Sequence, residues 1–165
     1  MADLIPLYRG AELSACGKYR LSLTRQLSPV GELTCLFIML NPSTADADVD
    51  DPTIRKCMKF ARSWGFHWLH VVNLFSYRAT SPDDMRAADY PVGPGNDDAL
   101  RTRAAGADLI VCAWGKHGWH RNRCDAVCQI LADYRLHYLQ LNKDGSPKHP
   151  LYVKDSTQPT PWISE

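Results

Sequence analysis

Four short apolar runs, separated by segments of helical periodicity, constrain the fold of this chain more than any other feature. The runs cover residues 33–40, 69–75, 108–114 and 136–141. They are rich in Val, Ile, Leu and Phe and are short enough to be buried strands. Strands that alternate with helices in one domain are typical of a mostly parallel sheet with helices on both faces. We therefore predict one α/β domain over residues 1–165, a three-layer sandwich around a mostly parallel four-stranded sheet.

The helical segments between the runs are bounded by residues that begin or end helices. Asp51 suits an N-cap and Pro52 suits the first helical position of the segment that follows the first run. A second helix, capped by Asn96, should run to Ala105, and a third should span residues 122–134.

The two ends of the chain lie outside this alternation. Residues 1–32 are interpreted as an N-terminal β lead-in, because Tyr19, Leu21 and Leu23 alternate with polar residues at the period of a half-exposed strand. Residues 154–165 carry two prolines and are predicted to form an extended tail.

The composition excludes several classes of protein. No apolar run approaches the ~20 residues that a membrane-spanning helix needs. The first ten residues lack the features of a signal peptide, and six cysteines in mainly apolar patterns fit free thiols, so we expect a cytoplasmic protein. A formal net charge of +1 gives no global attraction for polyanions, so nucleic acid would have to bind a local basic patch.

The stretch 36–52 is the first candidate for a functional site. Its apolar part ends at Asn41-Pro42, where proline ends the strand and directs the Asn41 amide outward, and an acidic loop then leads into the first helix. Open α/β sheets hold ligands at such strand ends. Because the loops that follow parallel strands gather along one edge, Asn41 should share a cleft with residues 73–78, 114–117 and 144–149.

Three side chains at these strand ends are candidates for ligand recognition. Asn41 and Asn73 each offer an amide donor and acceptor suited to the edge of a base, although either amide could instead cap a turn. His149 lies between Pro147 and Pro150, which stiffen its loop, so its imidazole could donate hydrogen bonds or handle protons in a fixed direction.

Three clusters of charged or metal-ligating side chains can each be interpreted in two ways. A basic stripe of Arg55, Lys59 and Arg62 on the first helix is either a solvated face or a track for phosphates. The acidic loop could bind a hard cation, although it lacks the glycine and closing glutamate of a calcium-binding loop. A second cluster, of two histidines and two cysteines, could bind zinc, although core packing explains its cysteines more simply. The residues of these two clusters are Asp46, Asp48, Asp50 and Asp51, and His117, His120, Cys124 and Cys128. We predict no metal and no cofactor.

Four segments resemble a bacterial and phage family catalogued as domain of unknown function 1643. They read LNPSTADADVDDPTIRKC, VVNLFSYRAT, VCAWGKHG and KDGSPKHPLY, and the resemblance runs through nearly the whole chain. This resemblance indicates a related family, but it does not imply any particular reaction.

The order of these motifs is also similar to that of the uracil-DNA glycosylase superfamily. In that superfamily one strand ends in Asp-Pro or Asn-Pro, a second ends in an asparagine, a third runs into Trp-Gly, and a His-Pro loop comes late. The matching residues here are Asn41-Pro42, Asn73, Trp114-Gly115 and His149-Pro150. The resemblance implies the same sandwich fold, with Asn41 positioning water, Asn73 reading the base and His149 stabilising the departing base.

The same resemblance implies an aromatic side chain that stacks on the base and a wedge that fills the gap it leaves. Trp64, Phe75 and Trp114 are candidates for the first role, and Leu151 or Tyr152 for the second.

The leading interpretation is therefore a nucleobase-recognising N-glycosidic hydrolase that acts on a damaged or unusual base in nucleic acid, DNA more than RNA. Asn41 and His149 are its catalytic residues, and Asn73, Phe75 and Trp114 bind the base. The residues expected to contact the nucleic acid are Ser43, Arg55, Lys59, Arg62, Arg78, Lys116, Lys148 and Leu151. One alternative is a non-catalytic module that binds nucleic acid or a nucleotide, since asparagine cannot accept a proton. Another is a metal-assisted phosphoester hydrolase that uses the acidic loop.

Overall fold

The protein folds around one sheet, which the computed structural model describes within residues 7–43 and 47–162. The strands are β1 (Arg9–Leu13), β2 (Arg20–Gln26), β3 (Thr34–Met39), β4 (Trp68–Asn73), β5 (Leu109–Cys112), β6 (Leu136–Tyr138) and β7 (Thr160–Pro161). The helices of the described part are α1 (Pro52–Ser63), α2 (Pro82–Ala87), α3 (Asn96–Ala105) and α4 (Arg123–Ile130), and 3₁₀ segments span Lys116–Asn122 and Pro150–Tyr152. The predicted α/β class is confirmed.

The sheet is mixed, which corrects the prediction of four mostly parallel strands. Its order is β1-β2-β4-β3-β5-β6-β7. The pairings among β4, β3, β5 and β6 are parallel, whereas β2 joins β4, β1 joins β2 and β7 joins β6 in antiparallel fashion. The prediction described residues 1–32 as a β lead-in, because their alternation is typical of a half-exposed strand, and did not count them among the four strands of the sheet. In the structure β2 is almost wholly buried and its Leu23 pairs with Val71, so the lead-in supplies two strands of the sheet.

Two apolar cores lie on opposite faces of the sheet, because successive residues of a strand point to opposite sides. In β3, Cys35 and Phe37 belong to the core under α1, whereas Leu36 and Ile38 belong to the core under α3 and α4. All of β3 is buried, which explains why its sequence is a continuous apolar run and not an alternating one. Helices thus cover both faces of the sheet.

The helix starts follow local rules, with one correction. Asp51 caps α1 as predicted, since its Oδ1 accepts a hydrogen bond from the backbone N–H of Ile54 at 2.8 Å. Asn96 does not cap α3, because Gly95 holds that position with a φ of 78°, which glycine adopts without strain. The Asn96 side chain is instead buried and donates to the backbone oxygen of Asn73 at 3.0 Å. This amide fixes the end of β4 against α3.

The last third of the chain differs from the prediction at its boundaries. β6 ends at Tyr138 and not at residue 141, and the tail that we predicted to be extended contributes β7. All six cysteines are free. Within the described ranges, no helix combines the length and the apolar character that crossing a membrane requires.

Candidate functional site

A polar pocket lies where β3 and β4 end and α1 begins. Its volume is about 290 Å³, and its wall includes Asn41, Asn73 and His149 together with Arg20 and Asp51. Asn41 follows β3, Asn73 ends β4, and His149 precedes the second 3₁₀ segment. The structure therefore brings together the three strand-end side chains that the sequence singled out.

Asn73 presents a buried hydrogen-bond donor to the polar pocket. The residue is 1% exposed, and within the described residues its Nδ2 has no hydrogen-bond partner. Leaving a buried donor unmet costs about 1–3 kcal/mol, so such groups are usually satisfied by water or by a ligand. Since the same residue is held at its backbone oxygen by Asn96, its position is fixed while its amide is available.

Arg20 brings a buried cation to the same wall. The residue is 3% exposed and begins β2. Burial lowers the pKa of its guanidinium to about 10, and the negative charge of Asp51 opposes this shift. The group therefore stays protonated at neutral pH and offers hydrogen-bond donors only. Sequence reasoning missed Arg20 because its strand belonged to the lead-in, whose alternation predicted a half-exposed strand.

Asp51 is the one carboxylate that the described residues contribute to the wall of the polar pocket. Its Oδ1 caps α1, and its Oδ2 accepts a hydrogen bond from the Ser43 hydroxyl at 3.1 Å. An ionised carboxylate has about four acceptor sites, so Asp51 can also accept a hydrogen bond from water or a ligand. The sequence predicted the capping role of Asp51 but not its place in the pocket.

The Asn41 side chain connects two loops. Its Nδ2 donates to the backbone oxygen of Pro42 at 3.1 Å and to that of Ala79 at 3.0 Å. Because carbonyl oxygens only accept, the amide nitrogen must face them, which leaves Oδ1 as the acceptor end of the side chain. Asn41 thus braces the loop after β3 against the segment after β4, in addition to lining the pocket.

His149 is held in one tautomer by its own loop. Its Nδ1 accepts a hydrogen bond from the backbone N–H of Leu151 at 3.3 Å, which caps the second 3₁₀ segment. In the neutral imidazole the proton then resides on Nε2. Burial lowers the pKa of His149, and the charge of Asp51 opposes that effect. At neutral pH His149 is therefore an uncharged donor at the pocket.

A basic cleft adjoins the polar pocket. It has a volume of about 640 Å³ and shares His149 and Leu151 with the pocket. Lys116 and Lys148 line it, Trp114 contributes to its wall, and none of its described lining residues is acidic. Leu151 is 41% exposed at the junction of the two concavities. A lining with this charge suits phosphate groups.

The three aromatic residues predicted to stack on a base lie in different surroundings. Phe75 is completely buried in the core under α3 and α4, because the chain leaves β4 after Asn73 and the alternation of faces stops there. It cannot stack on a ligand in the pocket, which corrects its assignment to base binding. Trp64 stacks on Phe60, with ring centroids 5.3 Å apart, in the core under α1. Only Trp114 of the three borders the basic cleft.

The basic stripe lies away from both concavities. None of Arg55, Lys59 and Arg62 lines the polar pocket or the basic cleft. Lys59 forms an ion pair with Asp155 at 2.6 Å, and Arg55 donates to the backbone oxygen of Asp50 at 2.9 Å. These contacts favour a structural role for the stripe over a phosphate track.

Two further predicted contact residues are bound to the protein itself. Arg78 donates to the backbone oxygen of Gly17 at 2.9 Å and lines neither concavity. Ser43 lines the polar pocket, where its hydroxyl donates to Asp51.

The acidic loop anchors neighbouring elements in its described part. Asp50 forms ion pairs with Arg9 at 3.1 Å and with Arg25 at 2.7 Å. Asp46, which the cation hypothesis requires, lies outside the described residues. Across residues 7–43 and 47–162, no group of three or more His, Cys, Asp or Glu side chains is arranged to hold a metal ion, and this includes the predicted His-Cys cluster.

A comparison with protein families identifies one match. The model of a family described as "Protein of unknown function (DUF1643)" matches residues 20–151, so the chain belongs to that family. No curated protein and no solved structure matches the chain. The matched region includes every residue that we have named in the wall of the polar pocket.

Proposed function

We propose that this member of the DUF1643 family is an N-glycosidic hydrolase that recognises a damaged or unusual base in nucleic acid, with DNA preferred to RNA. The observation that carries the proposal is that Asn41, Asn73 and His149, from three separate segments of the chain, line one small pocket. The pocket volume, about 290 Å³, is near the lower end of the range of about 300–1,000 Å³ for small-molecule sites. The similarity of the motif order to uracil-DNA glycosylases supports the same function.

In this proposal the base is recognised by donors. The unmet Nδ2 of Asn73 requires an acceptor, such as a carbonyl oxygen or an unprotonated ring nitrogen of a base. A base edge that presents an amino group to Asn73 would leave this donor unsatisfied. Discrimination between bases then results from the cost of leaving the buried Asn73 amide unpaired.

The departing base is stabilised by His149. When the bond between C1′ of the sugar and the base nitrogen breaks, the electron pair stays on the base, which becomes an anion. The Nε2–H of His149 donates a hydrogen bond to this anion, and the Leu151 N–H holds the ring in place through Nδ1. Donors fixed before the reaction stabilise such a charge at little reorganisation cost.

Water supplies the oxygen that bonds to C1′. Asn41 Oδ1 and the Asp51 carboxylate are the acceptors in the wall that orient this water. Asp51 accepts the proton that water loses, because an amide cannot do so. Asp51 then releases this proton to solvent and the base anion takes up a proton from solvent, so the products are the neutral free base and a sugar hydroxyl.

A base inside a duplex must leave the stack to reach the pocket, at a cost of a few kcal/mol. Leu151 and Tyr152 lie beside the pocket and are 41% and 76% exposed. Apolar side chains in such positions can occupy the space that an extruded base leaves. Lys116 and Lys148 in the basic cleft would then contact the neighbouring phosphates.

A non-catalytic binding module is the second candidate, and one observation favours it. The Asn41 amide nitrogen is fully used by the backbone oxygens of Pro42 and Ala79, so Asn41 has a structural role that does not depend on catalysis. A binding module would use Asn73, Arg20 and the basic cleft in the same manner.

The experiment that separates the two functions is a base-release assay. Single strands and duplexes that contain uracil, hypoxanthine or an alkylated base are incubated with the protein in excess and with EDTA. An enzyme should release at least one of these bases, and His149→Ala and Asp51→Asn should each lower the single-turnover rate by about 10²-fold or more, since each removes one preorganised group. Asn73→Ala should broaden the range of accepted bases.

Gln129→Ala is the matched control, because Gln129 is exposed on α4 and lines neither concavity. Its rate should equal that of the wild type. If the wild type binds the strands but releases no base, the hydrolase assignment is wrong and the binding module takes its place.

A further inference from the structure

An aromatic pocket lies on the side of the basic cleft that is remote from the polar pocket. It has a volume of about 500 Å³ and lies between the first 3₁₀ segment, α4 and the Asp144–Pro147 loop. Four aromatic side chains line it, Trp114, Trp119, Tyr134 and Trp162. Of its lining residues, only Trp114 and Lys116, which it shares with the basic cleft, have been given a role above.

The basic cleft shares lining residues with each of the other two concavities. Trp114, Gly115 and Lys116 border both the basic cleft and the aromatic pocket. His149 and Leu151 border both the basic cleft and the polar pocket. The basic cleft therefore lies between a pocket of buried donors and a pocket of aromatic rings.

The aromatic pocket presents ring surface to solvent. Trp119 is 59% exposed, although a large apolar side chain is normally covered. Trp162 packs against Trp114 with ring centroids 5.7 Å apart, which fixes its orientation. Exposed rings at the end of a cationic groove are the usual means of binding single strands, since bases stack on the rings and phosphates follow the cations.

We propose that the aromatic pocket binds a nucleobase that neighbours the base in the polar pocket, so that the preferred ligand is a single strand of nucleic acid. The inference rests on the proposed function for the polar pocket. Lys116, which borders the basic cleft and the aromatic pocket, neutralises a phosphate between the two bases. A duplex keeps its bases stacked on each other, so it cannot place one on Trp119 without further unstacking.

The test is a fluorescence titration of wild type and Trp119→Ala with a short single-stranded oligonucleotide whose central base is uracil on a non-hydrolysable 2′-fluoro sugar, and with the corresponding uracil mononucleotide. Loss of one stacking ring should raise the Kd for the oligonucleotide at least about fivefold. The Kd for the mononucleotide should not change, because it occupies the polar pocket alone. Trp119→Phe should restore most of the oligonucleotide affinity, and wild type should bind the single strand more tightly than the matching duplex.

Tyr90→Ala is the control, since Tyr90 is 53% exposed and lines none of the three concavities. The proposal is overturned if Trp119→Ala leaves the oligonucleotide Kd unchanged, or if it weakens both ligands equally. Asn73→Ala in the same titration reports on the polar pocket. If Asn73→Ala loses affinity for the oligonucleotide and Trp119→Ala does not, the polar pocket is a base site and the aromatic pocket is not.

Discussion

At the scale of single residues, the site depends on polar groups whose hydrogen bonds are only partly made within the protein. Asn73 is held through its backbone oxygen while its Nδ2 is unmet among the described residues, and His149 is held through Nδ1 while Nε2 remains a donor. In both cases one contact fixes the group and another atom serves a ligand. Groups that the protein holds in place before the ligand binds are preorganised for that ligand.

The tautomer of His149 is a direct prediction of this geometry. Because Nδ1 accepts the Leu151 N–H and burial lowers the pKa of the imidazole, the ring should be neutral at pH 7 with its proton on Nε2. Its titration midpoint should lie below the ordinary value of about 6.5. Nitrogen-15 NMR of the imidazole measures both properties.

The sign of the linked stability effect follows from the direction of the pKa shift. Below pH of about 6.5 the unfolded chain binds a proton at His149 more readily than the folded one does. The contribution of His149 to stability is therefore complete above that pH and is lost as pH falls through the lowered folded pKa. A midpoint above 6.5, or a proton on Nδ1 at neutral pH, would contradict the donor role of Nε2.

The sequence located three residues of the polar pocket at strand ends or in a proline-bounded loop. Asn41, Asn73 and His149 were found in this way because strand ends and proline-bounded loops are visible in the sequence. Arg20 was missed because its burial depends on pairing of β2 with β4, a long-range contact without a local signal. Phe75 was assigned to base binding by the resemblance alone, whereas in the structure the strand ends at Asn73 and Phe75 is buried in the core under α3 and α4.

At the scale of elements, α1 links the pocket to the rest of the fold. Its N-cap residue, Asp51, lies in the wall of the pocket. The polar face of α1 is fixed to the tail by ion pairs of Lys56 and Lys59 with Asp155 at 2.7 and 2.6 Å. Hydrogen bonds from these lysines lower the pKa of Asp155 to about 2. The spacing of the stripe was visible in the sequence, but the partner, 96 residues away from Lys59, was not.

Substitutions of Asp51 should separate the stability of α1 from the chemistry of the pocket. Asp51→Ala removes the cap and should lower the free energy of unfolding by about 0.5–2 kcal/mol, whereas Asp51→Asn keeps a good capping acceptor and should cost much less. Urea denaturation followed by circular dichroism measures both. Asp133→Ala, at an exposed position with no capping role, is the control and should leave stability unchanged.

If Asp51→Asn proved as destabilising as Asp51→Ala, the charge and not the capping acceptor would stabilise α1. The variant could then no longer be used to assign the proton-accepting role.

At the scale of the whole molecule, the sheet places three loops at one edge. The parallel arrangement of β4, β3, β5 and β6 directs their carboxyl ends to the same side, where the polar pocket, basic cleft and aromatic pocket lie. The sequence predicted these strands from apolar runs. It did not predict that β1, β2 and β7 extend the same sheet. The edge strands β1 and β7 are short and carry exposed residues, so their pattern is weak. The alternation in β2 is typical of a half-exposed strand, although β2 is almost wholly buried in the structure.

The most direct test of the proposed function is whether the side-chain amide of Asn73 contacts a bound base. Strands that contain uracil, hypoxanthine or an alkylated base on a non-hydrolysable 2′-fluoro sugar are titrated into nitrogen-15-labelled protein. For the accepted base, the side-chain amide signal of Asn73 should shift on binding, while that of exposed Gln129 should not move. If such strands bind and the Asn73 amide signal stays unchanged for every base, the polar pocket does not receive a nucleobase and the proposed function is wrong.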